Sequence, residues 1–159
     1  MSDTTLVQTK TSPLPAWLRA MRPKQWVKNI LVFAAPVAAG ALFAPRVLIN
    51  SLWAFVSFSL ISASIYLIND VRDVDADRLH PKKRFRPIAA GELDPRTATI
   101  LAAVTMIGSL ALGWWVAPML GITLAVYWVL QVGYSMFLKH QPIIDLAMVT
   151  SGFLLRAVA

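Results

Sequence analysis

Residues 97 to 138 carry no charged side chain, and residues 29 to 68 carry only one, Arg46. These long uncharged stretches constrain the fold more than any other feature of the chain. In lipid, backbone N–H and C=O groups must be satisfied inside the protein, so such stretches become transmembrane helices. The composition agrees: 57% of the 159 residues are hydrophobic and 14% are charged, against about 25% charged in soluble domains. The expected fold is all-α, a multi-pass transmembrane helical bundle with four complete spans and a partial fifth.

Residues 1–15 are rich in Ser, Thr and Pro and read as a disordered cytoplasmic tail. Residues 16–28 mix Trp17 and Trp26 with cations, which suits a short segment lying at the membrane surface. The spans are expected at residues 27–44, 47–68, 97–117 and 119–138, each near the roughly 20 residues that cross a bilayer. Ala44-Pro45-Arg46 is a very short connection, so the first two spans form an antiparallel pair. Asp94-Pro95 reads as an N-cap followed by proline at the first helical position, and Pro118 separates the third and fourth spans. A fifth apolar stretch begins near Ile143 and is unfinished at Ala159. It carries Asp145 and Arg156, which need partners on other helices. The chain is therefore expected to be the N-terminal part of a longer protein, and inactive alone.

Lys and Arg set the orientation. Arg19, Arg22, Lys24 and Lys28 precede the first span, seven more cations lie between Arg72 and Arg96, and Lys139 follows the fourth span. With alternating spans all three groups share one side, so the N-terminus and the loop after the second span are predicted cytoplasmic. Trp53, Trp114 and Trp115 fall near the far ends of their spans, as an interfacial belt requires; Trp128, in mid-span, does not fit it. The net charge of +7 is explained by this anchoring, and nucleic acid is not expected as a partner. The chain has no cysteine, which excludes disulfides, thiolate metal sites and thiol nucleophiles within it.

The chemistry is concentrated in residues 69–91, where Asn69, Asp70, Asp73, Asp75 and Asp77 precede Lys82, Lys83, Arg84 and Arg86. Asn69, Asp70, Asp73 and Asp77 are spaced by three and four, so a helix places them in one stripe two turns tall, while Asp75 points elsewhere. Stacked carboxylates repel one another, and a bound cation offsets that repulsion. Oxygen ligands favour Mg2+, which takes one or two carboxylates and completes its shell with phosphate oxygens and water; Mn2+ can substitute. The four cations after Pro81 suit a phosphorylated substrate. A solvated acidic helix end balanced by lipid-binding bases is the alternative.

The block Asn69-Asp70-x-x-Asp73-x-x-x-Asp77, followed by Arg84, Arg86-Pro87 and Gly91, resembles the first Asp-rich motif of the UbiA-type intramembrane prenyltransferases. Residues 16–159 would then be the N-terminal part of a UbiA-like domain. Two further segments are similar to the decaprenyl-phosphate phosphoribosyltransferases of actinobacteria. One is Met21-Arg22-Pro23-Lys24-Gln25-Trp26-Val27-Lys28-Asn29. The other runs from Tyr134-Ser135 through Leu138-Lys139 and Asp145 to Gly152-Phe153 and Leu155-Arg156. The resemblance implies a bundle of about nine spans with a second Asp-rich motif, neither complete within this chain. It also implies a Mg2+-dependent glycosyl transfer in the plasma membrane, from phosphoribosyl diphosphate to a polyprenyl (decaprenyl) phosphate, serving cell-wall arabinan synthesis. Asp73 and Asp77 would be the catalytic pair, with Asn69, Asp70, Asp73 and Asp77 holding the metal.

Lys24, Lys28, Lys82, Arg84, Arg86, Tyr134, Lys139 and Arg156 are the candidate substrate-binding residues. Anchoring explains Lys24, Lys28 and Lys139 equally well, Tyr134 can simply pack, and Arg156 can pair with a helix beyond the chain. Asp94 and Asp145 read as caps, Glu92 as solvated, Gly91 as a turn residue, and His80 and His140 as loop residues. Two other readings stay open: a prenyltransferase acting on a prenyl diphosphate and an aromatic acceptor, and a non-enzymatic membrane subunit. Membrane lipids are expected partners in every case, and homo-oligomerisation is left open.

Overall fold

The computed structural model describes residues 12–137. The expected fifth span, and with it Lys139, His140, Asp145 and Arg156, lies outside the described residues, as does most of the N-terminal tail. Every regular element among the described residues is helical, as expected where the backbone can hydrogen-bond only to itself.

Among the described residues, three helices are long and apolar enough to cross a membrane: α3 (Pro45–Arg72), α5 (Pro95–Val116) and α6 (Pro118–Phe137). They contain the expected spans 47–68, 97–117 and 119–138 almost entirely. Each begins at a proline, whose fixed φ and missing N–H suit the first helical turn. Asp94 caps α5, its Oδ2 accepting from the N–H groups of Arg96 at 3.0 Å and Thr97 at 3.3 Å. Ala117 is extended (φ −162°, ψ 134°), as a residue before proline prefers. That single residue turns the chain from α5 into α6.

The first expected span differs from a continuous α-helix. A short surface helix, α1 (Ala16–Ala20), leads into a 3-10 helix over Pro23–Phe33 and then α2 (Ala34–Ala38). The backbone stays right-handed through Phe33 and Ala34, so the two pieces run end to end. At about 2.0 Å per residue the 3-10 helix rises more steeply than an α-helix. With α2 it covers roughly 30 Å, close to the hydrocarbon thickness. Gly40, at φ +65°, turns the chain back toward α3 in a conformation that glycine adopts without strain.

α3 is the central helix and packs against the 3-10 helix, α5 and α6. One core joins Val32, Phe58, Ile61 and Ile65 to Leu120, Leu124 and Tyr127. A second joins Ala20 and Met21 to Ala63, Leu67, Ile88, Leu93 and Ala98, so the N-terminal surface segment is packed into the bundle. Some buried hydroxyls on α3 are satisfied locally, whereas Ser62 Oγ has no partner among the described residues. Ser57 Oγ donates to the Trp53 carbonyl at 2.9 Å and Ser59 Oγ to that of Phe55 at 2.8 Å. Ser109 Oγ crosses from α5 to the Ser57 carbonyl at 2.7 Å, an interhelical bond of the kind that ties helices together in lipid. Trp53 and Trp115 meet edge to face, 6.1 Å apart, at the end of the bundle where the belt was expected. Trp128 sits in mid-span because its indole N–H donates to Ser64 Oγ at 3.2 Å.

Close approach of α5 and α6 requires small residues. A Cβ on Gly121 would lie 3.2 Å from the Trp114 backbone and 2.6 Å from its ring, whereas one on Gly108 meets nothing within 4 Å. Gly121→Val is therefore expected to destabilise the bundle by about 1–3 kcal/mol through overpacking. Gly108→Ala should be neutral or stabilising by up to about 1 kcal/mol. Thermal unfolding in detergent compares the two.

Candidate functional site

The acidic block lies where α3 ends. Asp73 (φ −90°, ψ 9°) closes α3 and opens a short helix, α4 (Val74–Leu79). The break is slight. Asp73 N–H still donates to the Asn69 carbonyl at 2.9 Å, and Asp77 N–H to that of Asp73 at 2.8 Å. Helical spacing therefore persists through the pinch. Asp70 and Asp77 are buried (3% and 2% exposed), Asp73 is half-buried, and Asp75 is exposed.

After α4 the chain returns toward α3. His80 Nδ1 accepts from the Lys82 N–H at 3.1 Å and the Lys83 N–H at 3.3 Å, and a 3-10 turn follows over Lys83–Phe85. Gly91, at φ +79°, completes the loop, while Ile88 and Leu93 bury their side chains. This return delivers Arg86 to the acids. Its Nη1 donates to Asp77 Oδ2 at 2.8 Å and to Asp70 Oδ1 at 3.1 Å. Arg22 reaches the same Asp70 oxygen from the N-terminal segment, with Nη2 at 2.6 Å, and lies over the Tyr66 ring at 4.8 Å. Two guanidiniums thus face two buried carboxylates and offset the cost of burying their charge.

The end of α6 completes the site. Ser135 Oγ donates to Asn69 Oδ1 at 2.5 Å. Arg72 bonds the Ser135 carbonyl and, at 2.9 Å, that of Met136. A guanidinium that donates to two successive carbonyls ties α3 to α6 through charge-assisted hydrogen bonds. Between α3, α4 and α6 lies a cavity of about 430 Å³, and its polar lining is Arg72, Asp73, Asp77, His80, Lys83 and Ser135.

Of the residues singled out from the sequence, Asp73 and Asp77 share this cavity, Asn69 stands beside it through Ser135, and Arg86 is tied to Asp77. Asp70 faces Arg22 and Arg86. Lys82 and Arg84 are exposed, with Arg84 over the Phe85 ring. Lys28 is exposed and Tyr134 half-buried. Lys24 lines a separate cavity of about 340 Å³ together with Arg19 and Arg22. Glu92, expected to be solvated, pairs with Arg19. Lys83, one of the four cations after Pro81, also lines the cavity, whereas Arg22, Arg72 and Ser135 were not expected to be site residues. The partners of Arg72 lie 63 and 64 residues away in sequence, where no local pattern signals them.

Among the described residues no three Asp, Glu or His side chains are gathered closely enough to hold a metal by themselves. The lining does suit a cation that takes one or two carboxylates and fills its remaining positions with phosphate oxygens and water, since Asp73 and Asp77 both face the cavity.

The structure is thus a bundle of long apolar helices with a cavity lined by acidic and basic side chains at one end. Residues 30–159 match the UbiA prenyltransferase family, and the chain belongs to that family of membrane-embedded proteins. It is 49% identical over 150 residues to the decaprenyl-phosphate phosphoribosyltransferase of Mycolicibacterium smegmatis, covering 89% of this chain and 46% of that protein. The protein of the same name from Corynebacterium glutamicum is 51% identical over 148 residues, covering 89% and 44%. That from Mycobacterium tuberculosis is 44% identical over 163 residues, covering 100% and 54%. The chain spans about half the length of these relatives.

Arg72→Ala should lower the unfolding free energy by about 1 kcal/mol or more, the worth of a charge-assisted hydrogen bond. Arg72→Lys should recover part of it, and thermal melts of the purified protein check both.

Proposed function

We propose that this chain supplies the donor-binding part of a plasma-membrane transferase. The enzyme moves a phosphoribosyl group from phosphoribosyl diphosphate to a polyprenyl phosphate, feeding cell-wall arabinan precursors. The observation that carries the reading is the cavity in which Asp73 and Asp77 face Arg72, His80 and Lys83. The names of the relatives support the choice of donor and acceptor. The distribution of Lys and Arg supports a cytoplasmic position for the N-terminus and the acidic block.

Asp73 and Asp77 would hold Mg2+, beside Asn69. Bound there, the metal would neutralise charge on the diphosphate leaving group. Lys83 and Arg72 add positive charge along the same cavity, and they act more strongly at a membrane boundary than in bulk water. The bond from the ribose anomeric carbon to the diphosphate oxygen breaks, and a bond from that carbon to the lipid phosphate oxygen forms. The lipid phosphate is already anionic, so the reaction needs no general base to generate the nucleophile. Arg86 is bonded to Asp77 and offsets the charge of its carboxylate. The exposed apolar faces of α5 and α6, with Ile100, Val104, Ile107 and Val129, suit contact with lipid chains.

The test is transfer of label from phosphoribosyl diphosphate to polyprenyl phosphate by the intact gene product in detergent with Mg2+. Labelled lipid is expected, and Asp73→Ala or Asp77→Ala should reduce the rate by on the order of 100-fold or more. Absence of labelled lipid, with turnover of a prenyl diphosphate and an aromatic acceptor instead, would overturn the reading.

A further inference from the structure

The spacing of the acidic block treats its four polar residues as equivalent, but their surroundings are not. Asp73 and Asp77 line the cavity, whereas Asp70 does not. Asp70 is 3% exposed, and one of its oxygens accepts from both Arg22 at 2.6 Å and Arg86 at 3.1 Å. The same Nη1 atom of Arg86 reaches Asp77 at 2.8 Å. Asp77 does line the cavity, so a chain of charge-assisted bonds runs from the N-terminal segment to the site.

The first link in that chain is held at a cost. Arg22 is the only non-glycine residue with positive φ among the described residues, at +54°. It precedes Pro23, whose ring disfavours helical backbone at the residue before it. A left-handed non-glycine residue is strained and persists where its surroundings over-determine it. Here Met21 is buried in the core shared with Leu67, Ile88 and Leu93. The guanidinium is fixed between Asp70 and the Tyr66 ring. The bend aims Arg22 at Asp70 and away from bulk solvent.

We infer that Asp70 and Arg22 are positioning residues and that Asp70 is not a cation ligand. Asp70 anchors Arg86, and Arg86 fixes the carboxylate of Asp77 toward the cavity. The inference deepens the proposed reaction and rests on it for the identity of the donor; the bonding pattern itself does not depend on that identity.

The experiment uses the intact gene product in detergent. Mn2+ binding is measured by the loss of the free-ion electron paramagnetic resonance signal, with inorganic diphosphate present, for wild type, Asp70→Asn, Asp73→Asn, Asp77→Asn and Arg22→Gln. Donor kinetics follow for the same set with Arg22→Lys added. Asp70→Asn and Arg22→Gln should keep Mn2+ affinity within about 3-fold of wild type while raising the donor KM about tenfold, with kcat changed less. Arg22→Lys should recover part of the KM. Asp73→Asn and Asp77→Asn should weaken Mn2+ by about tenfold or more. Loss of Mn2+ affinity in Asp70→Asn equal to that in Asp77→Asn would make Asp70 a ligand and overturn the inference. A wild-type protein that binds neither Mn2+ nor diphosphate would instead defeat the reaction reading. Thermal midpoints in chelator then decide the positioning claim: Asp70→Asn with Arg22→Gln should cost no more than Asp70→Asn alone, and additive losses would overturn it.

Discussion

Arg86 shares one guanidinium nitrogen between two buried carboxylates, Asp70 and Asp77, and the rest of the site depends on that arrangement. Two acids at a membrane boundary repel each other, and burial raises the cost of their charge. One arginine is too few for both. Arg22 supplies the second positive charge and brings the N-terminal segment with it. Segments at residues 22, 70, 77 and 86 are thereby fixed against one another. Removing either arginine leaves a buried carboxylate less well compensated, which costs more than a surface ion pair contributes.

The bundle beneath is built to hold that cluster still. α3 carries Asp70 on its last turn, leads through Asp73 into α4 and Asp77, and is also the helix against which the other long helices pack. Its buried Ser57 and Ser59 bond to its own carbonyls, and Ser64 accepts a bond from Trp128 on α6. α6 ends beside α3, and Arg72 and Ser135 join the two helix ends. The cavity therefore forms from elements far apart in sequence, with α3, α4 and α6 behind most of its lining and the loop of His80 and Lys83 closing the rest. Such support keeps catalytic groups in place before substrate arrives.

Much of this was legible in the sequence, because the signals involved are local. Runs without charge gave α3, α5 and α6 nearly to their ends, and Asp94-Pro95 marked its cap. The helical spacing of Asn69, Asp70, Asp73 and Asp77 placed the acids together even though the helix pinches at Asp73. The first span was less legible: hydrophobicity does not distinguish a 3-10 helix followed by a short α-helix from one continuous α-helix. Within the site, the difference between Asp70 and Asp77 could not be read from spacing. It depends on Arg22, 48 residues earlier, and on a left-handed backbone that its sequence does not announce. Trp128 broke the belt pattern for a similar reason, since its partner is Ser64 on another helix.

The coupling between Asp77 and Arg86 tests the central claim most directly. Unfolding free energies of Asp77→Asn, Arg86→Gln and the double variant form a double-mutant cycle. A shared guanidinium between buried acids predicts a coupling of about 1–3 kcal/mol, with the double variant more stable than the sum of the single losses implies. Additive losses within about 0.5 kcal/mol would contradict the account and leave Arg86 a loop cation without a structural role.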